Sequence, residues 1–261
     1  MTVRVSACGC SDAGRVRSHN EDCYEVDPEH ELYVVADGMG GHSHGEVAAR
    51  MAVDTIRAFV ARSEEPDETW PFAYDSHLGR HGNILKAAVQ LAHDQVLSAI
   101  RLDGSLYGMG TTVVGCLVRG GEAALAHVGD SRAYRLRDGR LELLTQDHTW
   151  VNEQVVAGFL SEAQARDHPL KNVVTRALGG DSEVSVDVAE MPLEPGDAIL
   201  LCSDGLTTML DDREIEACLV ETVDDGLDGA CETLVAEANA RGGHDNVTVV
   251  LLRAEAVAGG S

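Results

Sequence analysis

The sequence predicts a layered α/β protein whose strands are joined mainly by hairpins. Three observations predict it. Short apolar, β-branched runs recur through the 261 residues and end in glycine or acidic turns. Helical periodicity falls into two separated pairs of segments instead of alternating with single strands, which disfavours a doubly wound parallel sheet. Hydrophobic residues make up 44% of the chain, enough to bury a core and to exclude general disorder.

In chain order, residues 3–8 are the first expected strand. Residues 32–36 precede Asp37, 123–128 precede Gly129-Asp130, and 198–202 precede Ser203-Asp204. Each of these three reads as a strand that delivers a carboxylate to its end. Residues 111–118 and 247–252 are further β-branched strands, and 133–137 enters a hairpin closed by Asp138-Gly139. The first helix pair is expected over residues 45–61, with Val47, Met51, Val53, Ile56 and Val60 in helical spacing, and over 83–102, with Ile84, Ala88, Leu91, Val96 and Ile100. The second pair is expected over 212–220 and 226–240. Residues 62–82 read as a surface connection. Residues 145–181 combine two short helices, near 149–157 and 161–167, with Pro169 and the strand-like run KNVVTRALG. The tail AEAVAGGS, residues 254–261, is expected to fray. The whole of 1–261 reads as one domain.

The formal charge of −24 disfavours nucleic acid or an anionic membrane surface as the main partner. No apolar run is long enough to span a bilayer, and the N-terminal MTVRVSACGCSDAGR lacks the apolar stretch of a signal peptide. The seven cysteines, an odd number, read as reduced thiols, so a cytoplasmic location is expected. Cys8 and Cys10 share one face of a strand, and no second Cys pair follows to complete a metal site.

The main chemical signal is a set of single carboxylates dispersed over the chain: Asp22, Asp37, Asp130, Asp204 and Asp245. Alone, each reads as a turn or cap residue. Together, they suit hard divalent cations, which take oxygen ligands. Two such ions sharing a carboxylate and a hydroxide form an arrangement for hydrolysing phosphate esters. The DGMGG stretch is neither a P-loop nor a dinucleotide fingerprint.

The segments SDAGRVRSHNED, VVADGMGGHSHGEVA, GMGTTVV, HVGDSRAY, DHTWVNEQVVAGFLSEAQARDHPLKNVVTRALG, LLCSDGL and GGHDNVTVV occur in this order. The set resembles the metal-dependent PPM family, the type 2C Ser/Thr protein phosphatases, in its bacterial branch. The resemblance runs from about Ser6 to about Leu252. It implies an α+β fold: a four-layer α-β-β-α sandwich of two mainly antiparallel sheets with a helix pair on each outer face.

The resemblance also implies roles. Asp37 would bridge two Mg²⁺ or Mn²⁺ ions, Gly38 would give its carbonyl to one, and Asp204 and Asp245 would complete the other. Asp130, with Asp204, would hold a weaker third ion. Glu21 and Asp22 would orient the attacking water, and Arg17 would hold the substrate phosphate. The implied activity is hydrolysis of phosphoserine and phosphothreonine in proteins by a metal-bridging hydroxide, reversing bacterial Ser/Thr kinase signalling. The implied partners are phosphorylated proteins, including a Ser/Thr kinase, and the expected state is a monomer. Many eukaryotic relatives carry a His after the DG pair as a candidate general acid; here Met39 stands there, so the acid is unassigned. His42, His44, His148 and His244 read singly as structural, and Cys202 as core. Residues 145–181 match the family's flap and are expected to contribute to substrate choice. A pseudophosphatase would have lost metal ligands, and none is lost. A Ca²⁺-binding protein would show an EF-hand loop, and none is present. A small-molecule phosphatase stays open, since the site chemistry does not name the leaving group.

Overall fold

The computed structural model of the chain describes residues 3–40, 44–63 and 72–257. Its strands are β1 (Val3–Asp12), β2 (Cys23–Asp27), β3 (Leu32–Ala36), β4 (Gly38–Met39), β5 (Gly110–Thr111), β6 (Val113–Arg119), β7 (Glu122–Val128), β8 (Arg132–Arg137), β9 (Arg140–Leu143), β10 (Asp187–Pro192), β11 (Ala198–Cys202) and β12 (Val247–Ala256). Its helices are α1 (His44–Arg62), α2 (Arg80–Leu102), α3 (Trp150–Val156), α4 (Glu162–Arg166), α5 (Asp204–Thr207), α6 (Asp212–Thr222) and α7 (Leu227–Ala240).

Two five-stranded sheets face each other, in the orders β1-β12-β11-β8-β9 and β10-β7-β6-β3-β2. Their paired strands are antiparallel. The space between the sheets is filled by Tyr33, Val35, Val114, Cys116, Ile199, Leu201, Val250 and Leu252. Alternation along each strand puts its other residues outward, as on β11, where Leu200 joins Leu206, Ile215, Leu219, Leu234 and Val235 under α6 and α7. On the other outer face Val34, Val113 and Leu117 pack against α1 and α2. The expected four-layer sandwich is therefore the architecture found.

Several boundaries move. Strand β1 runs on to Asp12 because β12 is its partner throughout, from Val3 opposite Ala256 to Asp12 opposite Val247. Residues 254–256, expected to fray, are thus strand, and 258–261 lie outside the described residues. The run expected over 111–118 breaks at Thr112 into β5 and β6. Helix α1 buries Ala48, Ala49, Ala52, Val53, Ile56, Phe59 and Val60, while Val47 is 40% exposed, so its core face is rotated from the one the large residues suggested. KNVVTRALG is not a strand: Val174 and Leu178 make isolated bridges to Thr149 and Thr111, and most of the residues between are exposed or half-buried.

Local chemistry fixes the turns. Asp138 and Gly139 have φ of 51° and 74°, the two positive values of a type I′ turn, and close the expected β8–β9 hairpin. Helix α6 starts at a capping box in which Asp211 accepts from the Arg213 and Glu214 amides while Glu214 accepts from the Asp211 amide. Such a cap contributes about 1 kcal/mol. Ser161 and Gln164 do the same for α4.

Candidate active site

Both sheets send strand ends to one edge of the sandwich. Asp37 follows β3, Asp130 follows β7 by one glycine, Asp204 follows β11 by one serine, Asp245 stands two residues before β12, and Asp22 immediately precedes β2. Five carboxylates from distant parts of the chain thus meet, and the structure brings together all five that the sequence singled out.

The local sequence explains how each is held. Asp37 sits where the β3 backbone meets the Thr pair of GMGTTVV: the Thr112 amide and the Thr111 hydroxyl donate to the Asp37 carbonyl at 2.9 and 2.8 Å. Gly38 is required by space, since a Cβ there would stand 2.3 Å from the Gly45 carbonyl oxygen and 2.5 Å from that of Glu21. Gly129 has φ +110°, and a Cβ would meet Thr112 at 2.5 Å, so the turn that delivers Asp130 needs glycine on both counts. Asn246 braces the substrate-side loop, donating to the carbonyls of Ala13 and His19 and accepting from the Glu21 amide at 2.9 Å. Arg17, on that loop, donates from Nη2 to Asp245 Oδ2 at 2.7 Å, and its side chain is 54% exposed.

Asp22 is buried. Its Oδ2 accepts from the Ser203 hydroxyl at 2.9 Å and the Thr248 hydroxyl at 2.6 Å. Its Oδ1 is buried without a hydrogen-bond partner. Burial, and then the charges of Asp204 and Asp245, raise its pKa to about 7. Burial and neighbouring carboxylates raise Asp130 to about 7 and Asp204 to about 6. Asp37 is pushed well above the carboxylate range by burial and by Asp22, Asp204, Asp130 and Asp245. Crowded carboxylates with an orphaned buried oxygen and one half-exposed guanidinium leave negative charge uncompensated. The all-oxygen donor set fits hard divalent cations.

Hydroxyl and amide partners are what sequence reasoning missed: Ser203, Thr248, Asn246 and the Thr111–Thr112 pair. All lie inside the motif segments, but their chain separations from the groups they hold carry no signal. Cys202 is buried, and burial pushes its thiol up to about 12, so it offers no nucleophile. His42 lies outside the described residues. His244 is exposed, with its ring beside Gly242.

His148 belongs to a second cluster. His127, His148 and Asp187 place potential ligand atoms within 4.8 Å of one another. A guanidinium already stands there: Arg176 Nη1 donates to Asp187 Oδ1 at 2.8 Å and lies 2.9 Å from His148 Nε2. His148 Nδ1 accepts from the Gly129 amide at 3.0 Å, and its Nε2 lies 3.2 Å from Asp187 Oδ2. These contacts tie residues 145–181 to β10 and to the Gly129-Asp130 turn.

Comparison with known proteins agrees with this fold. The protein phosphatase 2C family profile matches residues 12–255, and the chain belongs to that family. It is 36% identical over 250 residues to the "Serine/threonine phosphatase stp" of Listeria welshimeri, covering 93% of each chain. It is 36% identical over 252 residues to the "Serine/threonine protein phosphatase PstP" of Mycobacterium tuberculosis, covering 96% of this chain and 45% of that protein. The crystal structure of the M. tuberculosis phosphatase PstP/Ppp superposes with a TM-score of 0.84 at 34% identity, over 97% of this chain and 100% of that one. A PstP catalytic domain in complex with two manganese ions gives 0.83 at 32% identity, over 98% and 100%.

Among the described residues no helix is long and apolar enough to cross a membrane.

Proposed function

We propose that this phosphatase hydrolyses phosphoserine and phosphothreonine in proteins with the help of two Mn²⁺ or Mg²⁺ ions, and opposes a Ser/Thr kinase. The observation that carries the reading is the convergence of Asp22, Asp37, Asp130, Asp204 and Asp245, with the Asp22 Oδ1 atom buried and unpartnered. Asp37, the Gly38 carbonyl, Asp204 and Asp245 are the proposed holders of the two ions, and Asp130 with Asp204 of a weaker third. When bound, such ions supply an activated water and positive charge for the phosphoryl oxygens.

The chain's own groups do the rest. Arg17 is held by one carboxylate, so most of its guanidinium donors stay available to a phosphate dianion. Glu21 and Asp22 orient the attacking water: Asp22 is fixed by two hydroxyls and Glu21 by the Asn246 brace on its amide. Met39 carries no proton to give, so the leaving alkoxide draws its proton from another group. The segment of about 145–181 contributes to protein-substrate choice. The seven cysteines, all free thiols, support a cytoplasmic setting. We read residues 1–261 as one catalytic unit acting as a monomer.

Phosphate release from a phosphothreonine peptide, with and without Mn²⁺, tests the reading. Metal-dependent turnover that is lost in Asp37→Asn and Asp204→Asn is expected. Turnover that survives both substitutions overturns the site, and none by the unaltered protein at millimolar Mn²⁺ overturns the activity.

A further inference from the structure

We propose that Cys8 and Cys231 are a peroxide-driven, reversible disulfide site that staples strand β1 to helix α7. The reading rests on contact, not on cysteine count. Cys8 and Cys10 are two apart on β1 and so share a face, the one packed beneath α7. Cys231 lies in the second turn of α7 and is 1% exposed. Its Sγ is 2.7 Å from Cys8 Sγ. A disulfide holds its sulfurs about 2.0 Å apart, so the pair is within a sub-ångström shift of bonding distance. Among the described residues it is the one thiol pair in such contact. Cys116 and Cys202, by contrast, are buried without a thiol neighbour, and burial lifts both to about 12.

The two thiols divide the work. Cys8 is half-buried and is the one a small oxidant reaches. Hydrogen peroxide oxidises its sulfur to a sulfenic acid: the O–O bond breaks, one oxygen joins sulfur and one water leaves. Cys231 sulfur then attacks Cys8 sulfur. The S–S bond forms, the S–O bond breaks, and a second water leaves with the Cys231 proton. Two thiols and one peroxide thus give one disulfide and two waters, and a dithiol reductant reverses the change. The hydrogen bond with Cys8, and burial, raise the Cys231 pKa.

The placement gives the staple a consequence. Strand β1 runs into the loop that carries Arg17, and α7 runs into the loop that carries Asp245. The two segments already meet where the Arg15 amide donates to the Gly243 carbonyl at 2.7 Å and Asn239 donates to Asp12 Oδ1 at 3.0 Å. A covalent link between near-contacting sulfurs constrains the unfolded chain over a very long loop while leaving the native site in place.

The test uses the full chain treated with hydrogen peroxide and then analysed under denaturing, thiol-blocking conditions. Titratable thiols are expected to fall from seven to five, with a single Cys8–Cys231 linked peptide that dithiothreitol removes. Cys10→Ser should behave like the unaltered chain, whereas Cys8→Ser and Cys231→Ser should form no link. The linked form should melt about 5 °C or more above the reduced form. Seven thiols surviving treatment, or a link mapped to Cys10, overturns the proposal. Mapping on the unaltered chain decides the matter even if a Cys231 variant fails to fold. An unchanged melting temperature overturns the staple as a constraint.

Discussion

Strand β11 has an aspartate at each end, and the two have opposite fates. Asp197, just before the strand, is 2% exposed; Asp204, two residues past its last strand position, is half-buried. Asp197 meets a guanidinium in a two-pronged contact, with Arg137 Nε and Nη2 donating to its two oxygens at 2.7 and 2.6 Å and the Glu194 amide adding a third bond at 2.8 Å. Burial alone would raise its pKa, but these partners hold it below the usual carboxylate value. Asp204 meets other carboxylates instead, and its pKa rises to about 6. Asp22 sharpens the contrast, since it too is buried, and it is raised to about 7. On this strand the aspartate locked to a guanidinium is structural, and the one crowded by carboxylates is the one we propose for an external cation.

Breaking each end separately tests that contrast. Asp204→Asn should lower kcat by about 10³-fold or more, because a lost ion contact removes several kcal/mol of charge stabilisation. It should melt no lower than the unaltered, ion-free chain. Asp197→Asn should do the reverse, keeping kcat within a few-fold and costing about 2–3 kcal/mol of stability in a denaturant titration, since Arg137 is left partly buried without its main partner. Equal behaviour of the two variants would erase the distinction. Arg17→Ala comes next, with an expected 10–100-fold fall in kcat/KM on a phosphopeptide from the lost charge-assisted contact, readable by steady-state kinetics (roughly 1.4–2.8 kcal/mol).

The smallest effect is in pH. Asp22, Asp130 and Asp204 have folded-state values raised from 3.8 to about 7, 7 and 6, so the ion-free folded chain binds protons more tightly than the unfolded chain. Stability contributed by these groups is therefore lost as pH rises through that window. In chelator, the melting temperature should fall between about pH 4 and pH 7, and millimolar Mn²⁺ should abolish the fall. A flat or rising profile in chelator would mean that the carboxylates are not crowded in solution.

How far the sequence could be read follows from what each feature depends on. The strands that end at Asp37, Asp130 and Asp204 were legible because apolar runs and turn residues are local. So was the Asp138-Gly139 hairpin. Strand β10 was not, because DVAEMP alternates weakly and is mostly half-exposed, so only its pairing with β7 makes it a strand. KNVVTRALG misled for the opposite reason: its residues favour extended backbone, but no neighbouring strand runs beside it. The five carboxylates were legible as motif members. The hydroxyls on Asp22 were not, since Ser203 and Thr248 lie 181 and 226 residues away in sequence. The contacts of His148 were equally hidden, since Gly129 and Asp187 lie 19 and 39 residues away in sequence.

Val3 and Ala256 stand opposite each other across β1 and β12. The first and last strands of the described fold therefore meet side by side, with the tight Asp138-Gly139 reversal on β8–β9 away from the carboxylates. A short peptide joining 256 to 3, with new ends cut at 138–139, would leave the strand ends that carry Asp22, Asp37, Asp130, Asp204 and Asp245 uncut. Gene order is thus separable from catalytic geometry in this architecture, which makes the β8–β9 reversal a place to install sensors or fused partners that report on the phosphatase without entering its site.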